Sequence, residues 1–159
     1  MTLVGCFRVG SSLVHELRQA SVNFTVIDVS QNVNEKLNKL GVPTVYGDIS
    51  HADTLHHAKV PEAKVILSTI PDSVLKGTSN VRILRQLRAM APDAKVIVTS
   101  EVLEHAREMY LEGAAYVLIH RFVGATHLAP VVFAAERGLG AELADHGATE
   151  LLGRREVLA

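Results

Sequence analysis

Four residues separate Gly5 from Gly10, behind a short apolar run and ahead of a stretch with an apolar face. A strand-to-helix turn with that spacing can hold phosphate. The template is G-x-G-x-x-G: the first glycine makes the turn, the second admits the pyrophosphate, and the third lets helix and strand pack closely. In Gly5-Cys6-Phe7-Arg8-Val9-Gly10 the outer glycines are kept and Phe7 takes the middle place. A benzyl group therefore stands where a phosphate would lie. Arg8 sits at the expected helix N-terminus, which already favours anions, and can add charge-assisted bonds to a phosphate. It can equally pair with a neighbouring carboxylate. Asp28 ends the second apolar run, eighteen positions after Gly10. A carboxylate there can hold ribose hydroxyls, or cap the helix that follows. In Tyr46-Gly47-Asp48-Ile49 the carboxylate of Asp48 has two readings as well: contact with a base or ribose, or a cap for the helix near Ala52.

Other chemistry is poorly supported. His51, His56 and His57 are spaced five and one apart, no carboxylate or thiol completes a metal set, and they read as solvated helix residues. No Tyr is followed four positions later by Lys, and neither a G-x-S-x-G elbow nor a G-x-x-x-x-G-K-[ST] loop occurs. No enzyme is expected.

The elements that must position these residues alternate along the chain. Strands are expected at Leu3–Cys6, Phe24–Val29, Thr44–Tyr46, Lys64–Thr69, Ala94–Thr99 and Tyr116–Ile119. Helical periodicity fills Ser11–Ala20, Asn32–Leu40, Ala52–Ala58, Ser79–Met90 and Val102–Leu111. In the last of these Leu103, Ala106 and Tyr110 are expected to face inward. Such alternation with short connections predicts an α/β, Rossmann-like, doubly wound parallel sheet of six strands with helices on both faces. Its crevice should lie at the C-terminal ends of the first and second strands. After Ile119 the pattern changes. Gly124–Arg137 reads as a further apolar helix interrupted by Pro130. The stretch from Gly138-Leu139-Gly140 to a polar tail with Arg154-Arg155-Glu156 carries weaker signals of order.

Composition sets the outer limits. At 159 residues the chain is expected to form one globular unit with a proper core. Apolar residues make up 48% of it, which suits buried parallel strands. The net charge of −1 leaves no electrostatic footprint for nucleic acid, and none is expected as a partner. The lone Cys6 excludes an internal disulfide and fits a reducing compartment. No apolar run approaches the roughly 20 residues of a membrane span, so the chain is expected to be soluble.

Several motifs together resemble one family. They are the Gly5–Gly10 turn, Val26-Ile27-Asp28, Tyr46-Gly47-Asp48, Leu55-His56-His57-Ala58 and Val65-Ile66-Leu67-Ser68-Thr69, with Ala94-Lys95-Val96-Ile97-Val98 and Glu112-Gly113-Ala114-Ala115-Tyr116-Val117. These are similar to the RCK domain, also called KTN or TrkA-N, from Leu3 to about Ile119. The helix near Ala129–Glu136 is similar to the cytosolic C-terminal domains of cation/proton antiporters. The resemblance implies residues 1–120 as a Rossmann-like unit, with 121–159 as a helix and tail that contact a second copy. It implies a homodimer. The apolar residues Phe122, Val123, Leu128, Val131, Val132 and Phe133 place its contacts at Phe122–Arg137, with the helices after the fourth and fifth strands; the alternative is that this segment folds back onto its own sheet edge. The resemblance also implies a transmembrane ion-transport domain in the same or a partner chain, a place at the inner face of the membrane, and an adenine nucleotide (AMP, ADP, ATP or NAD(H)) that biases gating. The implied site comprises Gly5, Phe7, Arg8, Val9 and Gly10 at the phosphate, Asp28 at the ribose, and Asp48 and Ile49 on the base side. Thr69 and Ser100-Glu101 would line the crevice.

Three positions depart from the family pattern. Phe7 replaces the middle glycine, Ser21 stands where glycine usually follows the first helix, and His120 stands where proline is common. Phe7 implies a mononucleotide in preference to NAD. The alternatives are a ligand-free dimerisation scaffold of the same family and a small NAD(P)-dependent oxidoreductase.

Overall fold

The computed structural model describes residues 1–154 and 157. Six strands, β1 (Thr2–Val4), β2 (Thr25–Asp28), β3 (Thr44–Tyr46), β4 (Val65–Ser68), β5 (Lys95–Thr99) and β6 (Tyr116–Leu118), form one sheet. Its order is β3-β2-β1-β4-β5-β6 and every pairing is parallel. The predicted strands and their sequence order hold: β3 keeps its bounds, β1 starts one residue early and ends two early, and the other four lose one residue at one or both ends. Leu3 registers against Val26 on one side and Leu67 on the other. The strand order thus reverses beside β1, where such sheets open a crevice at their C-terminal edge.

Successive strand residues point to opposite faces, and each face has its own core. Leu3 and Val26 meet Val14 of α1 (Arg8–Gln19) and Val33 and Leu37 of α2 (Gln31–Lys39). Val4, Ile27, Ile66 and Val96 meet three helices on the other face: α3 (Ala52–His57), α4 (Asn80–Met90) and α5 (Leu103–Leu111). Leu55, Leu84, Leu87 and Met109 are fully enclosed there. In α5 the inward residues are Ala106 and Met109. Tyr110, expected inside, is half exposed, and its hydroxyl oxygen accepts from the Val117 N–H at 3.1 Å. A tyrosine can lean on the sheet edge while its oxygen serves the backbone.

The helices α2 to α5 lie within one residue of their expected bounds, and three regions differ more. α1 starts at Arg8, three residues early, so Arg8, Val9 and Gly10 form its first turn. α6 (His120–Glu136) starts at His120, not Gly124, and runs through Pro130 without interruption. The proline removes one N–H, so one turn goes without its bond while the flanking turns continue. Beyond it, α7 (Gly140–Leu151) occupies the stretch expected to be weakly ordered and packs against α6. None of the α6 residues is buried. Of the tail, Arg154 pairs with Glu16 at 2.9 Å and Val157 is buried in the α1–α2 core, while Arg155 and Glu156 lie outside the described residues.

α1 ends in a paired-bond cap: Val22 N donates to the Leu17 carbonyl and Ser21 N to that of Arg18. That cap puts Ser21 in the left-handed region, φ 54°. A side chain there costs about 1–2 kcal/mol, of which glycine's extra unfolded freedom offsets about 0.5–1. Ser21→Gly is therefore expected to stabilise the chain by about 0.5–1 kcal/mol in urea unfolding. No gain at all would show that the cap relaxes elsewhere.

Candidate functional site

The crevice opens where expected, at the C-terminal ends of β1 and β2, and takes in the end of β4 as well. It encloses about 420 Å3, within the size range of small-molecule sites. The Gly5–Phe7 turn forms one wall, Asp28-Val29-Ser30 the second, and Thr69-Ile70-Pro71 with Val74 the third. Gly47 and Ile49, after β3, close the far end.

Each glycine of the turn has a distinct physical reason. Gly5 takes φ +80°, and a Cβ there would meet Ile70 Cγ1 at 2.8 Å. Gly10 has no conformational demand but no room: a Cβ would sit 2.2 Å from the Gly5 carbonyl oxygen and 2.8 Å from Thr69 Oγ1. These are the first and third glycine roles. At the second place Phe7 has φ −82°, so no left-handed strain arises there. Only the bulk of its ring separates the turn from the glycine pattern. The ring is half exposed at the mouth of the crevice.

Phe7 is the N-cap of α1, with no side-chain cap bond, and no acidic residue stands in the first turn. The first-turn N–H groups and the helix dipole at that end favour negative charge. Val9 belongs to that same turn and is partly buried. Arg8 is exposed, and its guanidinium lies 5.4 Å from the centre of the Phe7 ring. It is absent from the crevice lining.

Asp28 holds the turn in place. One carboxylate oxygen accepts from the Cys6 N–H at 2.7 Å and the other from the Ser30 N–H at 2.7 Å. Neither bond is a cap on α2, which Ser30 provides through its own hydroxyl oxygen. Thr69 clasps the turn from the opposite side, its hydroxyl donating to the Gly5 carbonyl at 2.7 Å. Gly5, Phe7, Asp28, Ile49 and Thr69 thus come together around one space.

Asp48 and Glu101 do not join them. Asp48 is exposed and accepts from the Ser50 N–H at 2.8 Å, within its own turn and not on α3. That backbone bond holds its carboxyl below the usual carboxylate range. Glu101 lies after β5, with its N–H on Asp72 at 3.3 Å and its carbonyl accepting from Arg121. Ser100 beside it is buried and bonds to Val102. His51, His56 and His57 are all exposed, and no metal-holding group of three occurs among the described residues.

The sequence reading missed Ser30, Ile70, Pro71 and Val74, and also Asn34, which is buried behind the Asp28 loop. For Asn34 a signal existed: a polar residue between Val33 and Leu37, next to the apolar stripe of a helix.

The family described as TrkA-N domain matches residues 1–120. The chain belongs to that family. The putative cation/proton antiporter YbaL of Escherichia coli strain K12 is 30% identical over 115 residues, 72% of this chain and 18% of that protein. The glutathione-regulated potassium-efflux system protein KefC of Cronobacter sakazakii is 25% identical over 138 residues, 87% of this chain and 22% of that protein. The chain thus spans about a fifth of the length of these relatives. Among solved structures, the TrkA-N domain of the E. coli inner membrane protein YbaL superposes with a TM-score of 0.75 at 25% identity, covering 82% of this chain and 93% of that one. The Kef CTD of Shewanella denitrificans in AMP-bound form gives 0.66 at 19% identity, over 94% and 93%. The GsuK channel bound to NAD gives 0.59 at 20%, over 74% and 20%. The last two show a shared fold. Among the described residues no helix is long and apolar enough to cross a membrane.

Proposed function

We propose that this TrkA-N domain is the cytoplasmic regulatory unit of a potassium or other cation transport protein. It takes an adenine nucleotide in the crevice and biases gating of a transmembrane ion-transport domain, in the same or a partner chain. The observation that carries the reading is the N-terminus of α1, with no side-chain cap and no acidic residue in its first turn, at the same crevice as the Asp28 carboxylate. The first suits a phosphate and the second a ribose diol. We assign the chain no catalytic step. The family membership and the AMP-bound and NAD-bound structures of the same fold support the ligand class.

Phe7 sets the order among nucleotides. A phosphate at the α1 N-terminus need not cross the ring, whereas a dinucleotide bridge must. AMP is expected to bind more tightly than NAD, and Phe7→Gly to gain roughly tenfold in NAD affinity, about 1.4 kcal/mol. Calorimetric titration of AMP, ADP, ATP and NAD against both proteins tests this. Equal wild-type affinity for AMP and NAD would remove the steric argument. Absence of any binding would leave the domain a dimerisation and coupling scaffold.

A homodimer is part of the proposal. Phe122, Leu128, Val132 and Phe133 of α6 are each about half exposed, and soluble monomers seldom carry a large contiguous apolar patch. A second copy covering α6 would bury these side chains, with residues 121–159 supplying the contact and α4 and α5 its neighbours. Light scattering is expected to give twice the chain mass, and Phe133→Asp to lower it toward that of one chain. A wild-type monomer at micromolar concentration would overturn this part.

A further inference from the structure

Asn34 is buried in the first turn of α2, yet its side chain serves three partners beyond that helix's core face. Its Nδ2 donates to the Asp28 carbonyl at 3.1 Å and to the Ser30 carbonyl at 2.8 Å. Its Oδ1 accepts from the Thr44 hydroxyl at the start of β3. The partners fix the amide's orientation. Turned over, Oδ1 would face two carbonyl oxygens with no donor between them, and Nδ2 would have left both carbonyls unserved.

One amide therefore holds both ends of the Asp28-Val29-Ser30 loop and is itself anchored to the next strand. The Asp28 carboxylate depends on that loop twice: its backbone is set by the bond to its carbonyl, and one of its oxygens by the Ser30 N–H. We infer that Asn34 is a positioning residue for ribose recognition, holding the 28–30 loop so that the Asp28 carboxylate keeps lone pairs directed at a vicinal diol in the crevice. Thr44 is its anchor. This rests on the reading above, in which a nucleotide places its ribose at Asp28. Unpairing a buried amide's partners costs most where their geometry matters most, and here they are the carbonyls that flank the recognition loop.

The test compares AMP with dideoxy-AMP, which lacks both ribose hydroxyls, on the full chain. Titrations on wild type, Asn34→Leu, Thr44→Val and Thr44→Ser are run with thermal unfolding of each. Wild type is expected to prefer AMP about tenfold. Asn34→Leu should reduce that preference to under about twofold, by weakening AMP about tenfold and leaving dideoxy-AMP within twofold. Thr44→Val should do the same in part, and Thr44→Ser, which keeps the hydroxyl, should restore the preference. Equal weakening of both ligands, with the preference kept, would reduce Asn34 to a purely structural residue. Should Asn34→Leu fail to fold, Thr44→Val and Thr44→Ser decide the point. A wild type indifferent to the hydroxyls, or binding neither ligand, would instead sink the ribose reading itself.

Discussion

Gly10→Ala is expected to destabilise the domain by about 3 kcal/mol, lowering the thermal midpoint by roughly 6–12 °C for a chain of this size. The added methyl would lie 2.2 Å from the Gly5 carbonyl oxygen and 2.8 Å from Thr69 Oγ1. Neither neighbour can retreat cheaply. The carbonyl belongs to the turn itself, and the Thr69 hydroxyl donates to that same oxygen at 2.7 Å. The relief available is to push α1 off the sheet, which opens the Val14 contact with Leu3 and Val26. Calorimetry or urea unfolding reads the loss directly. A variant within about 1 kcal/mol of wild type would show that α1 is free to move, and the close packing assigned to Gly10 would be wrong.

Asp28→Asn should cost about 2–3 kcal/mol of stability and weaken AMP by at least tenfold. The substitution keeps the shape but replaces one acceptor oxygen by an NH2 group. Either the Cys6 or the Ser30 N–H must then face another donor, since each now uses a separate oxygen at 2.7 Å. A hydrogen bond to a charged group contributes about 1.5–3 kcal/mol, and an unpaired N–H costs at least as much as its lost bond. Denaturant unfolding measures the first effect and calorimetry the second. A stability loss with intact AMP affinity would mean that the carboxylate serves the turn alone.

The strands were legible because six short apolar runs bounded by Gly and Pro turns leave few alternatives to a parallel sheet. Gly5 and Gly10 were legible as well, for their spacing encodes a turn and a close approach. The start of α1 was not, because its N-cap is Phe7, which carries no capping side chain to announce it. α6 was misjudged at Pro130, since a proline's cost does not reveal whether the turns on either side outweigh it. α7 was hidden by the glycines at its head, whose low helix propensity masks the apolar positions that follow. Charged residues were harder still. The sequence places Arg8, Asp48 and Glu101 at the ends of the right elements but does not fix the direction of a long or solvated side chain. Arg8 turns out to lie against Phe7, and Asp48 against its own turn. Asn34 escaped notice because its partners, two carbonyls and a hydroxyl, are brought to it by the strand-to-helix turn and by β3.

The double clasp on the glycine turn has a kinetic consequence. Asp28 and Thr69 already hold Cys6 and Gly5 from opposite sides. An arriving nucleotide would therefore find its phosphate-facing backbone in place and lose little entropy in ordering it. Binding of that kind proceeds without a slow conformational step, so on-rates for AMP, ADP and ATP should differ little. Discrimination among them would then appear as residence time, governed by how long each stays beside Phe7 once inside.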